Sequence, residues 1–340
     1  MIKIGLVGIG FMGMIHYLAA QALRGARVTA ICSRDPRKLA GDWRGIRGNF
    51  GPPGTRMDLG KIKRYPDFDD LLADPDIDLV DICTPTDRHP GMAVAALRAG
   101  KHVLVEKAIA LTTDDADAMV AAARQAGKLL MVAHVLPFFP EFRFAADAVR
   151  GGQHGKLIGG HFTRVISRPD WSADIGDASK TGGPAVDLHI HDTHFIGLIA
   201  GVPQRVFSSG VSAADGSVEY LTTQYLYGPD GPALSCSSGA VAMSGRPFVH
   251  GYEIYLEKAT LVYNSGGPAL TVFTAEGQSQ PALGSGDPIV SFAAEIQAAI
   301  DGVSAGKEPD LLSGQLARDA LVLCHRECES VRTGKAVEVR

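Results

Sequence analysis

Cysteine, tryptophan, long apolar runs and a surplus of either charge are all scarce in this chain. Its 340 residues include 5 cysteines and 2 tryptophans. The cysteines (Cys32, Cys83, Cys236, Cys324, Cys328) are odd in number and scattered, which argues against a disulfide scaffold and fits reduced thiols. Cys324 and Cys328 stand at helical spacing, and two thiols so placed read as core rather than as metal ligands. No apolar run reaches the roughly 18–20 residues of a membrane helix. The apolar opening lacks the charged start and cleavage site of a signal peptide, so it reads as a strand. A formal net charge of −4 leaves no basic field for phosphate backbones and argues against nucleic acid as a partner. The expectation is a soluble, cytoplasmic protein that engages neither membrane nor nucleic acid.

What is present is an ordinary globular composition, 46% hydrophobic and 21% charged, in a chain too long for one core. Two rhythms divide it. Up to about residue 127, continuous apolar runs (Ile2–Val7, Val28–Ile31, Leu79–Thr84, His102–Val105, Leu129–Ala133) alternate with helical patterns (Met14–Leu23, Pro90–Arg98, Asp114–Gln125). Runs of that kind are buried on both faces, as in a parallel sheet between helix layers. From Lys156 the pattern has period two: Leu157–Ile166, Gln204–Val211, Val218–Tyr227, Ala233–Met243, Tyr252–Glu257, Thr260–Tyr263 and Leu270–Thr274. Turns such as Gly228-Pro229-Asp230-Gly231 join them. Helices return at Ile289–Ala299 and Gly314–Arg332. The predicted class is α/β plus α+β. Residues 1–127 form a Rossmann domain, and residues 128–340 form a predominantly antiparallel sheet flanked by helices. Helix 314–332 is a candidate to pack back on the first domain. One face of the second sheet is left to meet solvent or another copy, so a homodimer or homotetramer through that sheet is expected.

Residues 41–63 fit less well. They carry Gly41, Gly45, Gly48, Gly51, Gly54, two prolines and Trp43, a long stretch for a connection. Following the second helix, they should emerge at the sheet end away from the ligand crevice, as an Ω-loop or oligomer contact rather than a lid.

Gly8-Ile9-Gly10-Phe11-Met12-Gly13 closes the first strand and opens a helix, the context that gives a G-x-G-x-x-G its meaning. Gly8 permits the tight turn, Gly10 lets backbone approach a pyrophosphate, and Gly13 lets helix and strand pack closely. Phe11 and Met12 lie at the helix N-terminus, whose unpaired N–H groups attract that anion. After the second strand come Ser33 and Arg34, where NAD enzymes usually place a carboxylate; a hydroxyl and a guanidinium suit a 2′-phosphate. NADP(H) is therefore favoured. NAD(H) stays possible, because Asp35 is only slightly late. Thr84, Pro85 and His89 follow another strand end and are assigned to the nicotinamide side. His16 reads as a packing or capping group.

The densest titratable cluster is Asp187, His189, His191, Asp192 and His194. On one helix, Asp187, His191 and His194 stand at i, i+4 and i+7 on a shared face, while His189 and Asp192 point elsewhere and are assigned to structure. Such a trio fits proton transfer, and it also fits three ligands of a hydrolytic metal.

The glycine fingerprint, Ile82-Cys83-Thr84-Pro85, Val105-Glu106-Lys107 and Gly182-Gly183-Pro184-(x)2-Asp187-(x)3-His191, in this order, resemble the glucose–fructose oxidoreductase / inositol dehydrogenase / MocA family. The resemblance runs over essentially the whole chain. It implies an NAD(P)-dependent oxidoreductase that moves a hydride between nicotinamide and a secondary alcohol or carbonyl of a sugar, cyclitol or related polyol, without a metal. Carried over residue by residue, Lys107, Asp187 and His191 are the catalytic candidates and Glu106 contacts the nicotinamide ribose or orients Lys107. Arg168, Trp171 and His194 are candidate substrate contacts. Two departures stand out: the family's Glu-Lys-Pro is Glu106-Lys107-Ala108, so a backbone difference is expected there, and His194 replaces a second carboxylate. The competing readings are a metal-dependent hydrolase using Asp187, His191 and His194, which leaves the fingerprint unexplained, and a non-catalytic nucleotide-binding protein.

Overall fold

The computed structural model describes residues 1–168 and 177–339. Two compact units divide the chain: Met1–Phe138 with Ser285–Arg318, and Phe139–Gly284 with the chain from Asp319 onward.

In the first unit, β1 (Ile2–Val7), β2 (Ala26–Cys32), β3 (Lys63–Tyr65), β4 (Leu79–Ile82), β5 (His102–Glu106) and β6 (Leu130–Ala133) form one parallel sheet in the order 3-2-1-4-5-6. This is the strand order of a Rossmann domain. The connecting helices are α1 (Phe11–Ala19), α2 (Pro36–Leu39), α3 (Phe68–Ala73), α4 (His89–Arg98) and α5 (Thr113–Ala126). Sequence chemistry sets their ends. Thr112 caps α5 by accepting from the Asp115 N–H at 3.1 Å, Asp114 and Asp115 complement the helix dipole, and Gly127 closes it at φ 61°. Every residue of β4 and of β6 is buried, as the continuous apolar runs predict. The sixth strand pairs with β5, so the first unit runs past residue 127 to Phe138. The short β3 has no apolar run to announce it.

The 41–62 stretch is packed, and it does not lie where its place in the chain suggested. Trp43 is fully buried and meets Tyr17 of α1 edge-on at 4.9 Å. A side chain at Gly48 would place its Cβ 2.0 Å from the Phe11 ring. Phe50 meets Phe11 edge-on at 4.8 Å. Phe11 is the first residue of α1, inside the glycine fingerprint, so residues 48–50 reach the carboxyl end of β1, the ligand side. Short-range rules for βα connections missed this because the aromatic contacts join residues about forty positions apart.

The second unit opens with α6 (Pro140–Gly151), continues through α7 (Ala178–Thr181), α8 (Pro184–Asp187) and α9 (Ile190–Ala200), and is built on a nine-stranded sheet. Its strands are β7 (Leu157–Ser167), β8 (Arg205–Ser212), β9 (Val218–Leu226), β10 (Ala233–Ala242), β11 (Val249–Leu256), β12 (Thr260–Asn264), β13 (Thr271–Thr274), β14 (Gly277–Ser279) and β15 (Val337–Glu338). Spatially the order is 14-13-12-11-7-10-9-8-15. The β10–β7 pair is parallel, and the other pairs are antiparallel. Phe142, Phe162, Phe195 and Tyr252 form an aromatic core on one face, with ring centroids 5.1–6.3 Å apart. Burying each such ring stabilises the unit by roughly 1.5–3 kcal/mol. The pleat and the register place exposed Phe207, Val211, Tyr255 and Phe273 on the other face.

After the second sheet the chain returns to the first unit as α10 (Pro288–Ala305), capped by Asp287 and closed by Gly306 at φ 64°. Phe292 of α10 stacks on Phe50 at 5.6 Å. The start of α11 (Gly314–Thr333) also belongs to this unit, where Arg318 pairs with Asp117 of α5 at 2.8 Å. No helix among the described residues is long and apolar enough to cross a membrane. Cys32, Cys83, Cys236 and Cys324 are buried free thiols; burial pushes the Cys32 thiol up to about 11.

Candidate active site

Parallel pairing brings the predicted nucleotide residues to one edge of the first sheet. Val7 is in register with Cys32 and with Ile82, and Ile82 with Val105. The residues that follow are Gly8–Gly13, Ser33 and Arg34, Thr84 and Pro85, and Glu106 and Lys107. They therefore emerge together at the carboxyl ends of β1, β2, β4 and β5, where such sheets bind ligands. Gly8 adopts φ 89°, and a Cβ there would fall 2.5 Å from the Cys83 carbonyl oxygen. At Gly13 a Cβ would fall 2.0 Å from the Gly8 oxygen, whereas at Gly10 it would meet nothing within 4 Å. Gly8 and Gly13 are thus dictated by the fold, and Gly10 leaves open space over the start of α1. That helix has no side-chain cap and no acidic residue in its first turn. The space and the uncapped N–H groups fit a pyrophosphate.

At the end of β2, Ser33 is half-buried and Arg34 exposed. Asp35 is spent locally: its carboxylate accepts from the Arg37 N–H at 2.9 Å and pairs with the Arg37 side chain at 3.2 Å. Thr84 is half-buried and Pro85 exposed. His89 is fully buried, with its two ring nitrogens each 2.8 Å from a backbone carbonyl, those of Ala108 and Thr84. Burial lowers its pKa. It ties two strand-end loops together instead of presenting its ring outward.

Lys107 is half-buried directly after β5, and its backbone N–H donates to Glu106 Oε2 at 3.0 Å. The Lys107–Ala108 peptide bond is cis, so the loss of the family's proline is not accompanied by a trans bond. Glu106 itself is buried. Its other oxygen lies 3.1 Å from His16 Nε2, and His16 Nδ1 lies 2.9 Å from Asp81. His16 is therefore an electrostatic bridge and not a cap. Neither it nor Asp81 carries a local sequence signal of that role, because the partners are 65 and 90 positions away.

In the second unit the 187–194 segment is not one regular helix. It breaks between α8 and α9, where the Leu188 and His189 N–H groups both donate to the Pro184 carbonyl. Asp187 and His191 remain half-buried, while His189, Asp192 and His194 are fully buried. His194 is thus buried where Asp187 and His191 are not, and burial pushes its pKa down to about 3. His189 Nε2 lies 2.6 Å from Glu327, and Asp192 takes the Arg164 guanidinium through both oxygens at 2.6 and 3.2 Å. Both pairs hold the segment from beneath.

Arg168 is largely exposed and pairs with Glu219 at 2.6 Å. Trp171 lies outside the described residues. Among those residues, the groups of three or more ligand-type side chains that gather within 4.8 Å are His16–Asp81–Cys83 and His189–Asp192–Cys236. Asp187, His191 and His194 do not form such a group. In both groups the imidazole lies against a carboxylate that is not part of the group, Glu106 or Glu327.

Sheet order and fingerprint define a dinucleotide-binding domain. Comparison with known proteins gives it a family. Residues 2–134 match the model of the oxidoreductase family with an NAD-binding Rossmann fold. The chain is 26% identical to myo-inositol 2-dehydrogenase of Thermotoga maritima, covering 99% of this chain and 98% of that protein. It is 29% identical to 1,5-anhydro-D-fructose reductase of Ensifer adhaerens over 71% and 74% of the two chains. The solved structure of a levoglucosan dehydrogenase with NADH and levoglucosan superposes with a TM-score of 0.83 at 21% identity over 99% of both chains. The family match thus covers the first unit's Rossmann sheet, and the likeness in fold extends over the whole chain.

Proposed function

We propose that this protein is an NAD(P)-dependent dehydrogenase or reductase acting on a secondary alcohol or carbonyl of a sugar, cyclitol or related polyol. The observation that carries the reading is Lys107, half-buried at the ligand edge of a nucleotide-binding sheet with its backbone held by Glu106. The names of the relatives, inositol, anhydrofructose and levoglucosan enzymes among them, support the substrate class. Asp187 and His191 support it from the second unit, where they are half-buried while His189, Asp192 and His194 are buried.

Bound nicotinamide would supply the hydride acceptor or donor. His191 takes the hydroxyl proton on oxidation and returns it on reduction, work for which an imidazole is suited. The Lys107 ammonium bonds a substrate oxygen and stabilises negative charge that develops there. Asp187 accepts from a neighbouring hydroxyl, and Glu106 orients Lys107. His89 holds the strand-end loops that flank the nicotinamide side. His194, being buried, is assigned to packing.

For the cofactor, NADP(H) is favoured. Ser33 and Arg34 follow β2, and Asp35, the nearest carboxylate, is engaged as a helix cap. Exposed Phe207, Val211, Tyr255 and Phe273 on one face of the second sheet favour a homo-oligomer through that face.

The decisive experiment follows nicotinamide absorbance over a panel of polyols, sugars and lactones with both cofactors. One of these substrates should turn over, and Lys107→Ala and His191→Ala should each lower kcat by about 100-fold or more. Unchanged turnover in both variants would defeat the roles given. Tighter binding of NADH than NADPH in a fluorescence titration would overturn the cofactor assignment.

A further inference from the structure

Four titratable side chains from four elements of the first unit meet out of water: His16 of α1, Asp81 of β4, Glu106 of β5 and Glu295 of α10. Their exposures are 1%, 3%, 6% and 0%. Burying charge is costly unless each charge is paired and hydrogen-bonded, so a cluster of this kind needs a reason. Asp81 also interrupts an otherwise apolar, fully buried strand.

The geometry supplies the reason. Both His16 nitrogens face carboxylates, Nδ1 at 2.9 and 3.0 Å from the two Asp81 oxygens and Nε2 at 3.1 Å from Glu106 Oε1. Imidazole donates on both sides only when it carries both protons. Glu106 is therefore gripped at one oxygen by His16 while its second oxygen accepts the Lys107 backbone N–H at 3.0 Å. We propose that His16 is a positioning residue for hydride transfer, fixing the Glu106 carboxylate so that Glu106 in turn fixes the backbone of Lys107. This rests on the reading above that Lys107 bonds the substrate oxygen.

The surrounding groups are consistent with it. Burial, the largest single influence, would lower the pKa of His16, but the charge and hydrogen bond of Asp81 together with Cys83 outweigh it and the net shift is well upward. The Cys83 thiol, 3.6 Å from Asp81, is held protonated by burial and by that same carboxylate. Among the described residues, neither oxygen of Glu295 has a hydrogen-bond partner. Burial, with the charge of Glu106 added, raises its pKa well above the usual range. Full burial without a hydrogen-bond partner among the described residues favours the neutral form of Glu295, which does not compete with Glu106 for the imidazolium. Phe292, one turn before it, covers His16 at 5.9 Å between ring centroids.

The test is a double-mutant cycle in the full chain, with the substrate found by the polyol panel and saturating cofactor. His16→Asn should lower kcat about tenfold or more in the natural background and less than about twofold when Glu106→Gln is already present, because the two act in series. Cofactor affinity of His16→Asn should stay within about threefold of the natural protein. Effects that multiply, or an unchanged kcat, would overturn the proposal. If His16→Asn does not fold, Asp81→Asn in the same two backgrounds reads the same coupling. An independent measurement needs no substrate: nitrogen NMR of histidine-labelled protein should show His16 with both ring nitrogens protonated at pH 8, and a neutral ring there would overturn the proposal. Lys107→Ala separates this inference from its parent. Loss of turnover in Lys107→Ala with none in His16→Asn sinks only the positioning role, whereas full turnover in Lys107→Ala sinks the reading on which it rests.

Discussion

The nucleotide edge of the first unit and the helical segment of the second are specified by opposite means. At the first, backbone does the work: Gly8 and Gly13 are required because a Cβ would strike a carbonyl oxygen, and parallel register carries the other residues to the same edge. At the second, side chains do it. Residues 187–194 are held by Arg164, 28 positions upstream of Asp192, and by Glu327, 138 positions downstream of His189. A backbone-specified site leaves glycines at fixed offsets in the sequence. A side-chain-specified one leaves only a cluster of polar residues whose partners are named elsewhere in the chain.

The contrast breaks most sharply at the buried ion pair. Asp192→Asn leaves the Arg164 guanidinium, 4% exposed, without its counter-charge, and should cost about 3–5 kcal/mol in denaturant unfolding of the second unit. A cost below ~1 kcal/mol would mean the pair does not specify the segment. Next come the glycines. Gly13→Val should weaken cofactor binding by about 100-fold, or ~2.7 kcal/mol, with a fall in Tm. Gly10→Ala, whose Cβ meets no protein atom, should keep its Tm and lose only cofactor affinity. Equal behaviour of the two variants would erase the distinction between fold-dictated and ligand-dictated glycine.

Smaller still is a pH effect. His194 has its pKa pushed down to about 3 by burial, while in the unfolded chain an imidazole binds its proton below ~6.5. The native state refuses that proton, so this contribution to stability is whole above ~6.5 and is lost as pH falls towards 3, by up to ~1.4 kcal/mol per pH unit. Unfolding free energies at pH 7 and pH 5 should therefore differ less in His194→Leu than in the natural protein. Parallel slopes would show that the ring is not held neutral. The smallest expected change is at the first unit's added loop, where Phe50→Ala removes two ring contacts, with Phe11 and Phe292, each contributing about 0.5–1.5 kcal/mol. A Tm unchanged by the substitution would mean the loop is not anchored there.

The same contrast explains what could be read from the sequence. Five of the six strands of the first sheet, all but β3, were legible as apolar runs, Gly8-x-Gly10-x-x-Gly13 as a phosphate turn, and seven strands of the second sheet as period-two segments. The roles of His189 and Asp192 as structural groups could be foreseen from helical phase. That phase failed for His194, because the shared donation to Pro184 interrupts the helix just after Asp187 and the count of i+7 no longer holds. His16, Asp81 and Glu106 could not be joined on paper, since their meeting is a product of sheet order. Nor could residues 48–50 be placed beside Phe11.

That last placement has a practical consequence. Arg44 and Arg47 are exposed on a loop pinned at Trp43 and Phe50, and trypsin cuts only chain that has come loose over several residues. The rate of nicking at Arg47 therefore counts how often the loop lifts from the first residue of α1. It is a clock on the nucleotide end of the protein that runs without any substrate.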